Sequence, residues 1–127
     1  MPTYYRDDNK PVVHFDPQIE ITPFTLFRRL REGRAPVVVD IRQVPSKRTL
    51  EGAIHNPNPD WQPEGDEQVV LFCDDGTKSV ALAQQLQEKG FSEVRALFGG
   101  LDLYEFALDP DVVGQATFLQ HITDIGT

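Results

Sequence analysis

Cys73 is the one cysteine among 127 residues, and it lies between Val69-Val70-Leu71-Phe72 and the polar turn Asp74-Asp75-Gly76-Thr77-Lys78. The apolar run has the composition of a strand buried on both faces. Beyond Ser79, Leu82, Ala83 and Leu86 recur at helical spacing, and Gly90 followed by Phe91 supplies the stop. A thiol between a buried strand and a helix N-terminus is placed for nucleophilic use. The thiolate is the reactive form, and a free cysteine titrates near ~8.5. Backbone N–H groups at a helix start have no intrahelical partner and can stabilise an anion. The loop from residue 73 to 78 converges its amides on the sulfur if Gly76 adopts positive φ. The plainer role for a lone cysteine is that of a small buried hydrophobe. Its setting here favours the reactive one.

Neighbouring charges modify that chemistry. Asp74 and Asp75 put two carboxylates beside the thiol. A helix terminus favours a thiolate by about 0.3–2 kcal/mol. A carboxylate roughly 6–8 Å away in a wet site opposes it by about 0.5 kcal/mol. The effects are comparable, and the same carboxylates repel an approaching dianion. Lys78 either attracts an anionic substrate or is an ordinary solvated lysine. Asp40 and Arg42 follow the apolar run Val37-Val38-Val39. They either orient the cysteine loop or close the strand end with an ion pair. His14, His55 and His121 have no acidic or cysteine partner at ligand spacing, so no metal site is expected. Gly99-Gly100 reads as a tight turn, not a nucleotide-binding pattern.

The elements that must position these residues follow in order. Residues 1–17 read as an extended arm and Ile19-Glu20-Ile21 as a short strand. Thr22-Pro23 starts a helix with Leu26, Phe27 and Leu30 on its apolar stripe, and Gly33 stops it. Val37 to Ile41 is a strand. Residues 43–52 are mixed and polar, a short helix or irregular crossover, before a brief strand at Ala53-Ile54. A proline-rich acidic loop from Asn56 to Glu67 is anchored by Trp61. After the cysteine strand and helix come a strand at Glu93–Leu97 and a helix at Leu101–Leu108. Val112, Val113, Ala116, Leu119 and Ile122 then recur at roughly helical spacing, so residues 109–127 read as a helical extension docked on a domain spanning 18–108. Strands alternating with helices imply an α/β fold, a parallel β-sheet with helices on both faces. In such sheets ligands bind at the carboxyl ends of the strands, where Cys73, Asp40 and Arg42 fall.

The chain is long enough for one domain that buries about two-thirds of its unfolded surface. One cysteine excludes an internal disulfide and an internal resolving thiol. A net charge of −8 argues against nucleic acid and against anionic membrane as partners. The N-terminus lacks the apolar core of a secretory signal, and no stretch approaches the ~20 apolar residues of a membrane span. The expectation is a soluble, cytoplasmic protein.

The segment Cys73-Asp74-Asp75-Gly76-Thr77-Lys78-Ser79 resembles the active-site loop of the rhodanese-like sulfurtransferases, Cys-x-x-Gly-x-Arg/Lys-Ser running into a helix. Val37 to Arg42 resembles the family's strand ending in Asp-x-Arg, and Gly52-Ala53-Ile54 its Gly-Ala-Ile. Val94 to Ala107 resembles its strand, Gly-Gly pair and aromatic helix. The similarity runs from residue 19 to about 108. It departs at Arg48-Thr49-Leu50-Glu51, where the family has Gly-His-Ile-Pro, and at the acidic pair Asp74 and Asp75. The resemblance implies a single-domain sulfurtransferase without cofactor. Cys73 takes a sulfane sulfur from a small-molecule donor, thiosulfate or a persulfide, and passes it to an external thiol or a protein acceptor. Asp74, Asp75, Gly76, Thr77, Lys78, Ser79, Arg42 and Asp40 form the surrounding site. Two alternatives stand beside it: a non-catalytic module that binds a partner or senses redox state, and a phosphatase or arsenate reductase on a related fold. The last wants a loop one residue longer closed by arginine, and the sixth residue after Cys73 is Ser79.

Overall fold

A computed structural model describes residues 15–45 and 47–121. The segment read as an extended arm lies mostly outside these residues; Phe15 at its end packs edge-on against Phe98, ring centroids 5.5 Å apart. Among the described residues five strands form a parallel sheet: β1 (Glu20–Ile21), β2 (Val37–Asp40), β4 (Ile54–His55), β5 (Val69–Phe72) and β6 (Val94–Leu97), in the spatial order β1-β6-β5-β2-β4. Helices α1 (Pro23–Arg31), α2 (Thr77–Glu88) and α3 (Gly100–Ala107) cover it.

Strand periodicity divides the core in two. Val38, Val70, Phe72 and Leu97 point to one face and join Leu26 and Phe27 of α1 with Leu101 and Tyr104 of α3. Val39, Val69, Leu71, Val94 and Ala96 point to the other face and join Ala83 and Leu86 of α2, with Trp61 packed at the margin. Both faces are covered, as the unbroken apolar runs require. The first helix begins as its sequence dictates, the Thr22 hydroxyl accepting from the Thr25 N–H at 3.2 Å. The second ends at Gly90, which takes φ +103°, and the Phe91 N–H returns to the Leu86 carbonyl at 3.0 Å.

Two expectations are overturned, both outside the parallel sheet. The segment read as a short helix or irregular crossover contains a strand, β3 (Arg48–Leu50), and the tail read as helical contains its antiparallel partner, β7 (Leu119–His121). Among the described residues, helical structure in the tail is confined to α4 (Pro110–Val113), because Gly114 takes φ +82° and ends it. Ile122 lies outside the described residues. The tail is docked, however. Phe118 packs on Phe27 with centroids 6.1 Å apart, and the buried Tyr104 hydroxyl donates to the Thr117 carbonyl. Leu50, 1% exposed, ties the β3–β7 ladder to the α1–α3 side of the core.

From β2 the chain moves outward to β4, whereas from β5 it moves the opposite way to β6. The connections therefore diverge between β2 and β5, opening a crevice at their carboxyl ends. Asp40 and Phe72 are register partners there, one residue before Cys73. Among the described residues no helix is long and apolar enough to cross a membrane.

The Tyr104–Thr117 bond links the tail to α3. Tyr104→Phe is expected to lower stability by about 1–2 kcal/mol in urea titration, with the Thr117 carbonyl left unpaired. An unchanged midpoint would mean that this bond adds nothing to the fold.

Candidate active site

Cys73 follows β5 directly and is 5% exposed. Gly76 takes φ +91° and turns the chain from loop into α2. Its N–H donates to the Cys73 Sγ at 3.2 Å. The buried Ser79 hydroxyl lies 3.5 Å from the same sulfur and donates to the Gly76 carbonyl at 3.2 Å. Among the described residues, Gly76 is the one backbone amide that donates to the sulfur. This is a narrower cradle than the convergence of amides expected from the sequence. The reason is Asp75, whose Oδ1 accepts the Thr77 N–H at 3.0 Å and the Thr77 hydroxyl at 2.7 Å. A carboxylate and a sulfur thus share one helix N-terminus.

Asp75 Oδ1 lies 3.9 Å from the Cys73 Sγ, much closer than the 6–8 Å assumed from the sequence alone. The Thr77 N–H, then its hydroxyl, hold the Asp75 carboxyl below its usual range, so it is ionised at neutral pH. Two unit charges at 4 Å interact by about 1 kcal/mol in bulk water and about 4 kcal/mol in a surface environment of effective dielectric 20. A thiolate here meets repulsion comparable to or larger than the helix terminus offsets.

Asp74 is restrained differently. Its Oδ1 accepts from Arg42 Nη1 at 3.0 Å. Arg42 is buried, and its Nε and Nη2 donate to the two carboxylate oxygens of Asp40 at 3.0 and 2.8 Å. Burial pulls the guanidinium pKa down, but hydrogen bonds and charge from Asp40 and Asp74 outweigh it and raise the pKa above the usual value. Asp40 and Arg42 therefore do both things the sequence left open: they close the strand end and restrain the cysteine loop.

The Gly99-Gly100 pair has a closer role than a tight turn alone. Gly99 and Gly100 take φ +73° and +63°, and α3 begins against the cysteine loop. The Leu101 N–H donates to the Cys73 carbonyl at 3.0 Å and the Asp102 N–H to the Asp74 carbonyl at 2.8 Å. A Cβ on Gly100 would come within 2.6 Å of both carbonyl oxygens.

Arg42, Cys73, Asp74, Asp75, Thr77 and Lys78, with Gln43 and Val44, line one cleft of about 340 Å³. Gly76 and Ser79 are buried beneath it, and Asp40 stands behind Arg42. Sequence reasoning missed Arg48, buried at 7% exposure, which pairs with Asp102 and reaches Asp74. It also missed His55, whose Nε2 lies 2.6 Å from the Arg42 carbonyl. Both depend on pairing across long sequence separations. Among the described residues no cluster could hold a metal ion.

A family model of the rhodanese-like domain matches residues 24–107. Among solved structures, a rhodanese-related protein from Thermoplasma volcanium is 16% identical, with TM-score 0.59 over 70% of this chain and 92% of its own. A protein of unknown function from Rhodopseudomonas palustris, described as a possible tyrosine phosphatase, is 21% identical, with TM-score 0.59 over 72% and 82%. A rhodanese homolog from Thermus thermophilus is 25% identical, with TM-score 0.52 over 65% and 95%. No curated protein matched the sequence.

Two outcomes follow from this geometry. Gly100→Ala is expected to displace the cysteine loop or unfold the protein, a loss of about 3 kcal/mol or more, because a left-handed residue would collide with two carbonyls. A wild-type urea midpoint would refute the close approach. For Asp75, whose folded pKa is depressed, the stabilising contribution is present above the ordinary aspartate value near ~3.9 and is lost as pH falls below it through the folded value. Wild-type protein should therefore lose stability on acidification below about pH 4 to a degree that Asp75→Asn does not. Parallel pH–stability curves would show that the Thr77 bonds contribute nothing.

Proposed function

Because the chain belongs to the rhodanese-like domain family, we propose that it is a sulfurtransferase carrying a sulfane sulfur on Cys73. The observation that carries this reading is the Gly76 N–H, 3.2 Å from the sulfur of a thiol at the base of a cleft. In the first half-reaction the Cys73 thiolate attacks the outer sulfur of the donor. The donor's S–S bond breaks, its electron pair leaves with sulfite or a thiolate, and Cys73 becomes a persulfide. In the second, an acceptor thiolate attacks the terminal sulfur and the Cys73 thiolate departs. The acceptor must come from outside, since the chain holds no other cysteine. Helix N–H groups that favour an anion at sulfur also favour a persulfide anion.

Asp75 bears on the choice of donor. A carboxylate 3.9 Å from the attacking sulfur opposes thiosulfate, a dianion, more than a persulfide of lower charge. Lys78, exposed at the rim, offsets part of this. We therefore assign persulfides as preferred donors and thiosulfate as a poor one. A second reading, a rhodanese-like binding or redox-sensing module, draws support from the same carboxylate. The phosphatase reading draws none from the loop, where Ser79 is buried and offers no guanidinium.

Reduced protein incubated with a persulfide donor should gain the mass of a single sulfur atom, and Cys73→Ser should not. No gain from persulfide or thiosulfate would leave the binding module as the function. Asp75→Asn should raise kcat/KM for thiosulfate by about three- to tenfold and change persulfide turnover less. Equal changes for both donors would rule out the electrostatic account of donor choice.

A further inference from the structure

We infer that Arg48 is a positioning residue that sets the charge at the cysteine cleft, and that the C-terminal strand β7 holds it in place. Arg48 faces three carboxylates. Its Nη1 lies 3.9 Å from Asp74 Oδ1, its Nη2 pairs with Asp102, and its Nε lies 3.0 Å from Glu105 Oε1. The Nε contact is out of line for a hydrogen bond, so charge alone holds that edge. Among the described residues Arg48 is the one cation paired with Asp102 or Glu105. The burial is lopsided: the Arg48 side chain is 9% exposed, whereas those of Asp74, Asp102 and Glu105 are 57%, 62% and 45% exposed. A fixed positive charge therefore lies beneath an acidic surface, unlike a solvated pair whose two members move together.

The partners of Arg48 are the elements that make the site. Asp74 is on the cysteine loop; Asp102 and Glu105 are on α3, the helix whose first N–H groups bind the Cys73 and Asp74 carbonyls. The Arg48 carbonyl accepts from Arg42 Nη2 at 2.6 Å, so the same residue also buttresses the guanidinium that restrains Asp74. Without Arg48, Asp102 and Glu105 would stand uncompensated, and Asp74 would keep Arg42 alone.

Among the described residues, no strand of the parallel sheet holds Arg48, and its strand, β3, pairs with β7 alone, in the register Arg48↔His121, Thr49↔Gln120 and Leu50↔Leu119. The Glu51 N–H donates to the Phe118 carbonyl at 2.7 Å, and antiparallel alternation makes Thr49–Gln120 the next hydrogen-bonded pair. Residues 119–121 lie beyond the matched domain, residues 24–107. A segment outside that domain is thus part of the site's support.

The test compares alkylation of Cys73 in the full chain by iodoacetate, an anion, and by iodoacetamide, which is neutral. Their rate ratio cancels the fraction of thiolate common to both and needs no sulfur transfer, so it can fail or succeed independently of the proposed activity. Arg48→Met should lower the iodoacetate-to-iodoacetamide ratio about threefold, Arg48→Lys should restore most of it, and added salt should shrink the difference. Equal changes with both reagents would reduce Arg48 to a structural residue and overturn the proposal. Gln120→Pro, an exposed position, removes a ladder hydrogen bond and should lower the ratio in the same direction. An unchanged ratio in a folded Gln120→Pro protein would overturn the role of β7. So would hydrogen exchange of the wild-type Thr49 amide at the rate of an unprotected chain.

Discussion

A buried guanidinium joins the parts of this site. Arg42 leaves the end of β2, binds both carboxylate oxygens of Asp40, and reaches the Asp74 side chain and the Arg48 carbonyl. Its own carbonyl meets His55, at the end of β4. One residue therefore spans β2, β4, the β3 segment and the cysteine loop. Desolvating such a pair is costly, and removing one partner typically costs about 3–5 kcal/mol because the other charge stays buried. The pair adds little net stability over an apolar substitute, but it fixes directions. Nε and Nη2 hold Asp40 on β2, Nη2 also reaches the β3 carbonyl, and Nη1 holds the cysteine loop.

The cysteine loop sets two anions against one source of positive potential. The Gly76 N–H serves the sulfur and the Thr77 N–H serves Asp75. A carboxylate at a helix N-terminus is ordinarily stabilising. Here it lies within 3.9 Å of a group that must itself become anionic to react. The loop therefore offers a resting thiolate support from one amide and opposition from its own carboxylate. This follows from local geometry and from the separation of the charges.

Much of this architecture was legible in the sequence. Val37–Asp40 and Val69–Phe72 announce buried parallel strands because nearly every side chain in them is apolar. Thr22-Pro23 and Gly90 mark helix ends through backbone chemistry that needs no tertiary context. The position of Cys73 at a strand end before a glycine turn was enough to nominate it. The β3–β7 ladder was not legible. Each strand is three residues long and carries a single buried or half-buried apolar side chain, Leu50 or Leu119, so periodicity has nothing to act on. In the tail the helical spacing misled, because Gly114 ends the helix after four residues. Arg48 and Asp102, 54 residues apart, meet only once that ladder and α3 are both in place. The closeness of Asp75 to the sulfur was missed for a local reason: the Thr77 bonds pull its carboxylate inward.

Among the described residues, the parallel sheet ends on both sides in strands of two residues, β1 and β4. Beyond β4 the chain runs into Pro57 and Pro59, which lack the N–H a neighbouring strand would need. A strand from another molecule arriving at either edge would find room for barely one pair of ladder bonds. The wholly apolar β5, four residues long like β2 and β6, lies in the middle with those two strands on its flanks. The sheet is thus protected from edge-to-edge aggregation by its own taper. The sequence best suited to self-association becomes available only when the whole domain opens.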